Sequence, residues 1–200
     1  MTPGPRELLG LVCDDLDAAG IGYALIGATA LVAHGFVRAT DDLDLLVLDE
    51  DILRRRRWHG LEEQGVHVDV RRGDDDDPLL GVIRLGVGLA ADAHLDEATP
   101  AIVDLVMVRG AWAREILTRA STAGLTLKVG GRAVPCVSAA DLVLLKLYGG
   151  GTKDRGDIEE LLAGPERQAI IDAVESRIGR LPEPARALWG RLRPAGRAEP

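Results

Sequence analysis

The sequence predicts an α/β (α+β) fold: a β-sheet flanked by helices and followed by a C-terminal helical segment. Three observations carry this. Residues 23–47 read as strand, helix and strand in immediate succession, and residues 101–108 form a β-branched apolar run of buried-strand length. After Cys136 the strand signals stop and the remaining periodicity is helical to about residue 192. Two hundred residues, 46% hydrophobic and 28% charged, suffice for a proper core with a helical appendage. The expected division is a core over 1–136, a helical region over 137–193 and a tail over 194–200.

Residues 5–19 repeat apolar side chains at Leu8, Leu9, Val12, Leu16 and Ala19, a helical spacing that stops at Gly20. The run Tyr23-Ala24-Leu25-Ile26 then reads as a short strand ending at Gly27, and 28–36 as a helix. After a turn through Arg38 and Thr40 comes Asp42-Leu43-Asp44-Leu45-Leu46-Val47. Alternation along a strand places Asp42 and Asp44 on one face and Asp41 on the other. Two carboxylates on one face repel and resist burial, so a compensating charge is required. Mg²⁺ suits them, because it keeps several waters and draws its remaining ligands from one or two carboxylates and from substrate phosphates. Gly27, lacking a Cβ where strand meets helix, would let a phosphate approach backbone N–H groups.

This stretch resembles the first motif of the nucleotidyltransferase fold of the DNA polymerase β superfamily: an apolar residue, Gly, a small residue and, after a helix, Asp-x-Asp. It is most similar to the minimal bacterial branch that includes toxin-type nucleotidyltransferases of the AbiEii kind, where His-Gly, Arg and Thr precede the aspartates, as do His34-Gly35, Arg38 and Thr40 here. The resemblance implies a mixed sheet, Mg²⁺ or Mn²⁺ as cofactor, and transfer of an NMP from an NTP such as ATP to an RNA, protein or small-molecule hydroxyl. It also implies a possible antitoxin protein as partner. The chain departs from the motif at Ala28, which brings no hydroxyl, so phosphate contact there would rest on backbone and on Thr29, while Arg38 would help offset charge on the leaving pyrophosphate.

Farther along, residues 49–65 read as a third helix with acidic residues at its start and the run Arg54-Arg55-Arg56-Arg57 within it. That run is either a local basic surface for nucleic acid or a solvated helix face. The net charge of −8 and a total of six aromatic residues, three Trp, two Tyr and one Phe, disfavour a general nucleic-acid or single-strand-binding module. Residues 66–70 alternate as a strand whose His67 and Asp69 share a face, as metal ligands or as the polar side of an outer strand. Asp74 to Asp77 read as a solvated loop, residues 80–85 as a short strand or extended connection, and 90–100 as loop.

In the run 101–108 a single carboxylate, Asp104, interrupts a buried strand and must have a partner. The resemblance makes it the third metal-binding aspartate beside Asp42 and Asp44. A salt bridge to an arginine is the alternative. Residues 111–123 read as a helix, and 125–136 as a hairpin turning at Gly130-Gly131. Ser138 caps the next helix with Asp141 as its acidic partner. Lys146 is the one basic residue of that apolar helix, and a Gly149-Gly150-Gly151 turn leads to Asp154 and Asp157. This segment resembles the family's C-terminal signature, in which Lys146 faces nucleotide phosphates while Asp154 and Asp157 hold the lysine or the helix pair. Otherwise Lys146 snorkels and the aspartates cap the following helix. Residues 165–178 and 184–192 read as two more helices.

The two cysteines, Cys13 and Cys136, make neither a disulfide framework nor a zinc set and are expected to be idle buried thiols. No apolar run approaches the ~20 residues that span a bilayer, and the first residues show no signal-peptide pattern. A cytoplasmic protein without a membrane partner is expected.

Overall fold

The β-branched runs and their alternation produce five strands: β1 (Tyr23–Leu25), β2 (Asp42–Val47), β3 (His67–Arg72), β4 (Leu79–Val87) and β5 (Ala101–Val108). They are seen in a computed structural model that describes residues 5–36, 42–87 and 101–193. The strands form one mixed sheet in the order β1-β2-β5-β4-β3, in which only the β2–β5 pairing is parallel. The central strand, β5, thus lies between two strands that precede it in the chain.

The pleat sorts the residues. Leu45, Val103, Leu105, Met107, Ile83, Leu85 and Val68 are buried, and with Leu8, Leu9, Val12 and Leu16 of α1 (Pro5–Ala18) they supply much of the core of this part of the chain. The opposite face carries the charged residues of β2, β5 and β4. This architecture is the predicted α/β fold, with helices flanking a mixed sheet.

Several elements differ from the sequence reading. The helix after β1, α2 (Gly27–Ala33), is one residue longer at its start and three shorter at its end. The third helix is instead two 3-10 turns, Glu50–Leu53 and Arg55–Trp58, followed by the single turn of α3 (His59–Glu62). Tertiary bonds explain the break: the Trp58 indole donates to Ile52 O at 2.7 Å and Arg72 donates to Leu53 O at 3.0 Å, so these carbonyls serve side chains instead of helix amides. Arg57 turns inward to Asp15 at 2.6 Å and lies 5.3 Å over the Trp58 ring. Arg54 pairs with Asp51 and Arg55 with Glu62, so the arginine run is locally balanced by carboxylates. The stretch read as a short strand or extended connection is the nine-residue β4. Asp74 to Asp77 form a turn in which Asp74 Oδ1 accepts from the amides of Asp76 and Asp77, while Arg109 donates to the carbonyls of Asp74 and Asp77.

After β5, α4 (Trp112–Thr122) leads to the hairpin of β6 (Thr126–Val129) and β7 (Arg132–Pro135). Gly130 and Gly131 have φ of 61° and 89°, the doubly positive pair of a type I′ turn. Cys13 and Cys136 are buried and unbridged. The chain divides into two compact units, 1–137 and 138–200. In the second, α5 (Ala139–Gly149), α6 (Thr152–Ala163), α7 (Arg167–Glu175) and α8 (Glu183–Leu192) share a core that includes Leu144, Leu147, Ile158, Leu161, Val174 and Leu188. Ser138 caps α5, accepting from the Asp141 amide at 3.1 Å. No helix among the described residues is long and apolar enough to cross a membrane.

Candidate active site

The β2–β5 register sets Asp44 directly opposite Asp104, and Asp42 lies two residues before Asp44, so all three carboxylates project from the same face of the sheet. The β4–β5 register places Arg84 opposite Asp104 on that face, and the β3–β4 register places Asp69 opposite Arg84. One row of charge, Asp44, Asp104, Arg84 and Asp69, therefore crosses four strands. Asp69 pairs with its neighbour Arg71 at 2.7 Å, which leaves His67 and Asp69 on the polar side of the outer strand.

Arg84 grips Asp104 with two parallel hydrogen bonds, Nε to Oδ1 at 2.9 Å and Nη2 to Oδ2 at 2.6 Å, and its Nη2 is also 3.7 Å from Asp42 Oδ2. These bonds raise the guanidinium pKa above its ordinary value; burial opposes the rise, and the charges of Asp104, Asp42 and Asp44 reinforce it. A forked arginine–carboxylate pair is a strong, directional interaction, and here it compensates the buried Asp104. The sequence held a signal for this partner. Arg84 is the single charge in the apolar β4, as Asp104 is in β5, and opposite charges isolated in two consecutive apolar strands are a natural cross-strand pair.

At the other side of β2, Ile26 donates its amide to Asp44 O at 2.9 Å and the chain turns at Gly27 into α2. Gly27 has φ +63°, and a Cβ there would lie 2.0 Å from Asp44 Oδ2. Only glycine fits, because the carboxylate occupies the space a side chain would need. The Ile26 N-cap provides no side-chain hydrogen bond to the start of α2. Thr29 is buried, and among the described residues its hydroxyl has no hydrogen-bond partner. His34 Nε2 donates to Val137 O at 2.9 Å, tying the end of α2 to the segment after β7. Arg38, Thr40 and Asp41 lie outside the described residues.

In kind, these donors suit a hard divalent cation: carboxylate oxygens on one face of the sheet. Their arrangement is not yet an ion cage. Among the described residues no three carboxylate, imidazole or thiol groups are gathered to hold a metal, and both Asp104 oxygens are engaged by Arg84. Asp42 and Asp44 have the chemistry of such ligands, Asp42 being also within 3.7 Å of Arg84; Asp104 could serve when Arg84 releases it. Beyond Asp104 the same face opens into a cavity of about 350 Å³, whose walls include Arg71, Arg72, Arg84, Val82 and Val106.

In the second unit, Lys146 does not snorkel. Its side chain is 8% exposed, and Nζ donates to Asp157 Oδ2 at 2.5 Å and to Asp154 Oδ1 at 3.3 Å. Asp154 also accepts from the Gly151 amide at 3.1 Å, at the start of α6. The lysine therefore joins α5 to α6 through both aspartates.

No family model matches the chain, and no curated protein matches it significantly. Solved structures do. The crystal structure of ANT(2″)-Ia in complex with adenylyl-2″-tobramycin aligns with a TM-score of 0.52 at 17% identity, covering 88% of this chain and 97% of that one. An antigenic nucleotidyltransferase-like protein from Paracoccidioides brasiliensis aligns at 0.46 and 18%, covering 92% and 91%. The lincosamide antibiotic adenylyltransferase LnuA, with lincomycin bound, aligns at 0.41 and 15%, covering 79% and 96%. The alignment with ANT(2″)-Ia, together with the sheet order and helical flanks described above, shows that this chain has a nucleotidyltransferase-like fold.

Proposed function

We propose that the protein is a nucleotidyltransferase that moves an NMP from an NTP to an acceptor hydroxyl, with Mg²⁺ or Mn²⁺ as cofactor. The observation that carries this reading is the shared face of Asp42, Asp44 and Asp104 on adjacent strands, with Gly27 packed against Asp44. Asp42 and Asp44 would hold the cation, joined by Asp104. A bound divalent cation supplies charge neutralisation for the triphosphate and lowers the pKa of the acceptor hydroxyl. The chain's own groups do the rest. By sequence resemblance Gly27, Ala28 and Thr29 are assigned to the triphosphate, Ala28 through its backbone, and Arg38 to the charge on its pyrophosphate portion. A carboxylate oxygen of Asp104 receives the acceptor proton. Lys146 is assigned to offset charge on the departing pyrophosphate, and the pairing with Asp154 and Asp157 supports the companion role of fixing α5 against α6.

The acceptor is an RNA, a protein or a small-molecule hydroxyl. ANT(2″)-Ia, bound to an adenylylated tobramycin, is a precedent for the last within this fold. A role in a toxin–antitoxin pair, with a cognate antitoxin as partner, rests on His34-Gly35, Arg38 and Thr40 in the sequence. The test is incubation with each labelled NTP, Mg²⁺ or Mn²⁺, and separate RNA, protein and aminoglycoside acceptors. Label in an acceptor that disappears in Asp42→Asn/Asp44→Asn supports the reading. Its absence with every nucleotide and acceptor class would overturn it.

One observation favours a second reading, a nucleotide- or partner-binding module with weak or no catalysis: the Arg84 fork occupies the Asp104 oxygens that the enzyme would use. Metal-dependent NTP binding without any transfer would mark that outcome.

A further inference from the structure

Three carboxylates and one guanidinium share a face, and the arginine stands where a cation would be needed. For Asp104 to ligate a metal, at least one oxygen must leave the fork. The exposures decide which partner moves. The Asp104 side chain is 9% exposed and sits in the central strand, whereas the Arg84 side chain is 41% exposed and borders the 350 Å³ cavity. The long, more exposed arginine stem borders open space into which it can swing, whereas the short aspartate is held in the buried central strand. A guanidinium and a divalent ion on the same carboxylate would also repel strongly at such short range in a partly buried site.

We infer that Arg84 is a positioning residue acting as a displaceable counter-ion: it holds Asp104 in place and charge-balanced until a divalent cation replaces it, so that cation and guanidinium are alternative partners of the same carboxylate. The inference rests on the metal-dependent reading above. It explains how a chain can keep three carboxylates together without metal, and it makes the free protein bind a lone divalent ion weakly. An ion arriving with a triphosphate brings further ligands of its own and offsets the displacement more easily.

The experiment measures Mn²⁺ binding to the full chain by calorimetry or electron paramagnetic resonance, for wild type, Arg84→Gln, Arg84→Lys, Arg71→Gln and Asp44→Asn. Arg84→Gln is expected to bind Mn²⁺ about tenfold tighter or more. Arg84→Lys keeps the charge but cannot form the fork, so it is expected to bind several-fold tighter than wild type. Arg71→Gln, on the same cavity wall but paired with Asp69, is expected to match wild type. Arg84→Gln no tighter than wild type overturns the inference, as does Arg84→Lys equal to wild type, since the effect would then be net field rather than displacement. A second measurement follows Arg84 in wild type itself, with Arg84→Lys used only to assign its signal. In ¹⁵N arginine side-chain spectra of wild type, the Nε–H signal absent from Arg84→Lys is expected to be protected without metal and to shift and exchange faster at saturating Mg²⁺. If it stays unmoved at saturation, Arg84 is not displaced. A different pattern marks failure of the metal reading itself: neither wild type nor Arg84→Gln binds Mn²⁺, or wild type binds it no better than Asp44→Asn, and the inference falls with it.

Discussion

Lys146 and Asp157 form a 2.5 Å ion pair with both side chains under a tenth exposed, and Asp154 completes the arrangement at 3.3 Å. Removing one member of such a pair strands the opposite charge in a poorly solvated place. Lys146→Ala is therefore expected to lower unfolding free energy by about 3 kcal/mol, measured by urea titration. Transfer kinetics of this variant are to be read only at temperatures where it is fully folded. A loss of kcat there, with NTP affinity kept, would assign the ammonium to the transition state; a loss of stability alone would assign it to the α5–α6 joint.

Gly27→Ala tests the approach of backbone to carboxylate. The new methyl group meets Asp44 Oδ2 and the backbone must hold φ +63°, so a destabilisation of about 1–2 kcal/mol from backbone strain alone is expected, with further loss as Asp44 is pushed aside. Transfer should fall with Asp44 displaced. Calorimetric melting and the labelled-NTP assay on one preparation check both effects; an Ala variant as stable and as active as wild type would refute the packing described.

Asp104→Asn keeps shape but removes the charge that Arg84 holds. The amide keeps one acceptor oxygen for the guanidinium while its NH₂ cannot accept, so one bond of the fork is lost and the other loses the carboxylate charge; a stability loss on the order of 1 kcal/mol or more is expected without metal. Its Mn²⁺-induced rise in Tm should shrink relative to wild type. An undiminished rise would take Asp104 out of the metal set.

The buried thiols give a pH dependence. Burial pushes Cys13 and Cys136 each up to about 11 from an ordinary value near 9, so the folded state keeps protons that the unfolded state releases between those values. The stability conferred is fully present below pH 9 and is lost as pH rises toward 11, because the unfolded chain then binds fewer protons than the folded one. Urea midpoints measured at pH 8 and pH 10 should show the fall, and Cys13→Ala/Cys136→Ala should flatten its slope. At pH 7.5 both thiols should resist alkylation in the folded protein.

Local signals sufficed for some features and failed for others. Alternation in Asp42-Leu43-Asp44 gave the face of the paired carboxylates, the β-branched run gave β5, and Ser138 with Asp141 gave the start of α5. Each depends on residues close in sequence. An arginine partner for Asp104 was one of the two readings, but that it is Arg84 depends on the β4–β5 register, a long-range property that no local pattern specifies. The arginine run was misread as helix because the Trp58 and Arg72 side chains capture the Ile52 and Leu53 carbonyls from outside, and such tertiary bonds override local propensity. Lys146 was visible as an oddity in an apolar helix, but its burial between Asp154 and Asp157 became evident only with the helices packed together.

The sheet order has a temporal consequence. Because β5 inserts between β2 and β4, both made earlier, the growing chain can pair β1 with β2 and β3 with β4 while the slot between the two hairpins is still open. Asp42 and Asp44 exist for some sixty residues of synthesis without the strand that carries Asp104. Until that strand threads the slot, Arg84 has only Asp69 of β3 opposite it, and two strand edges stand ready to pair with another chain. The step that brings the three carboxylates together is thus also the step that closes the sheet, and a nascent chain arrested before residue 101 is expected to be prone to aggregate.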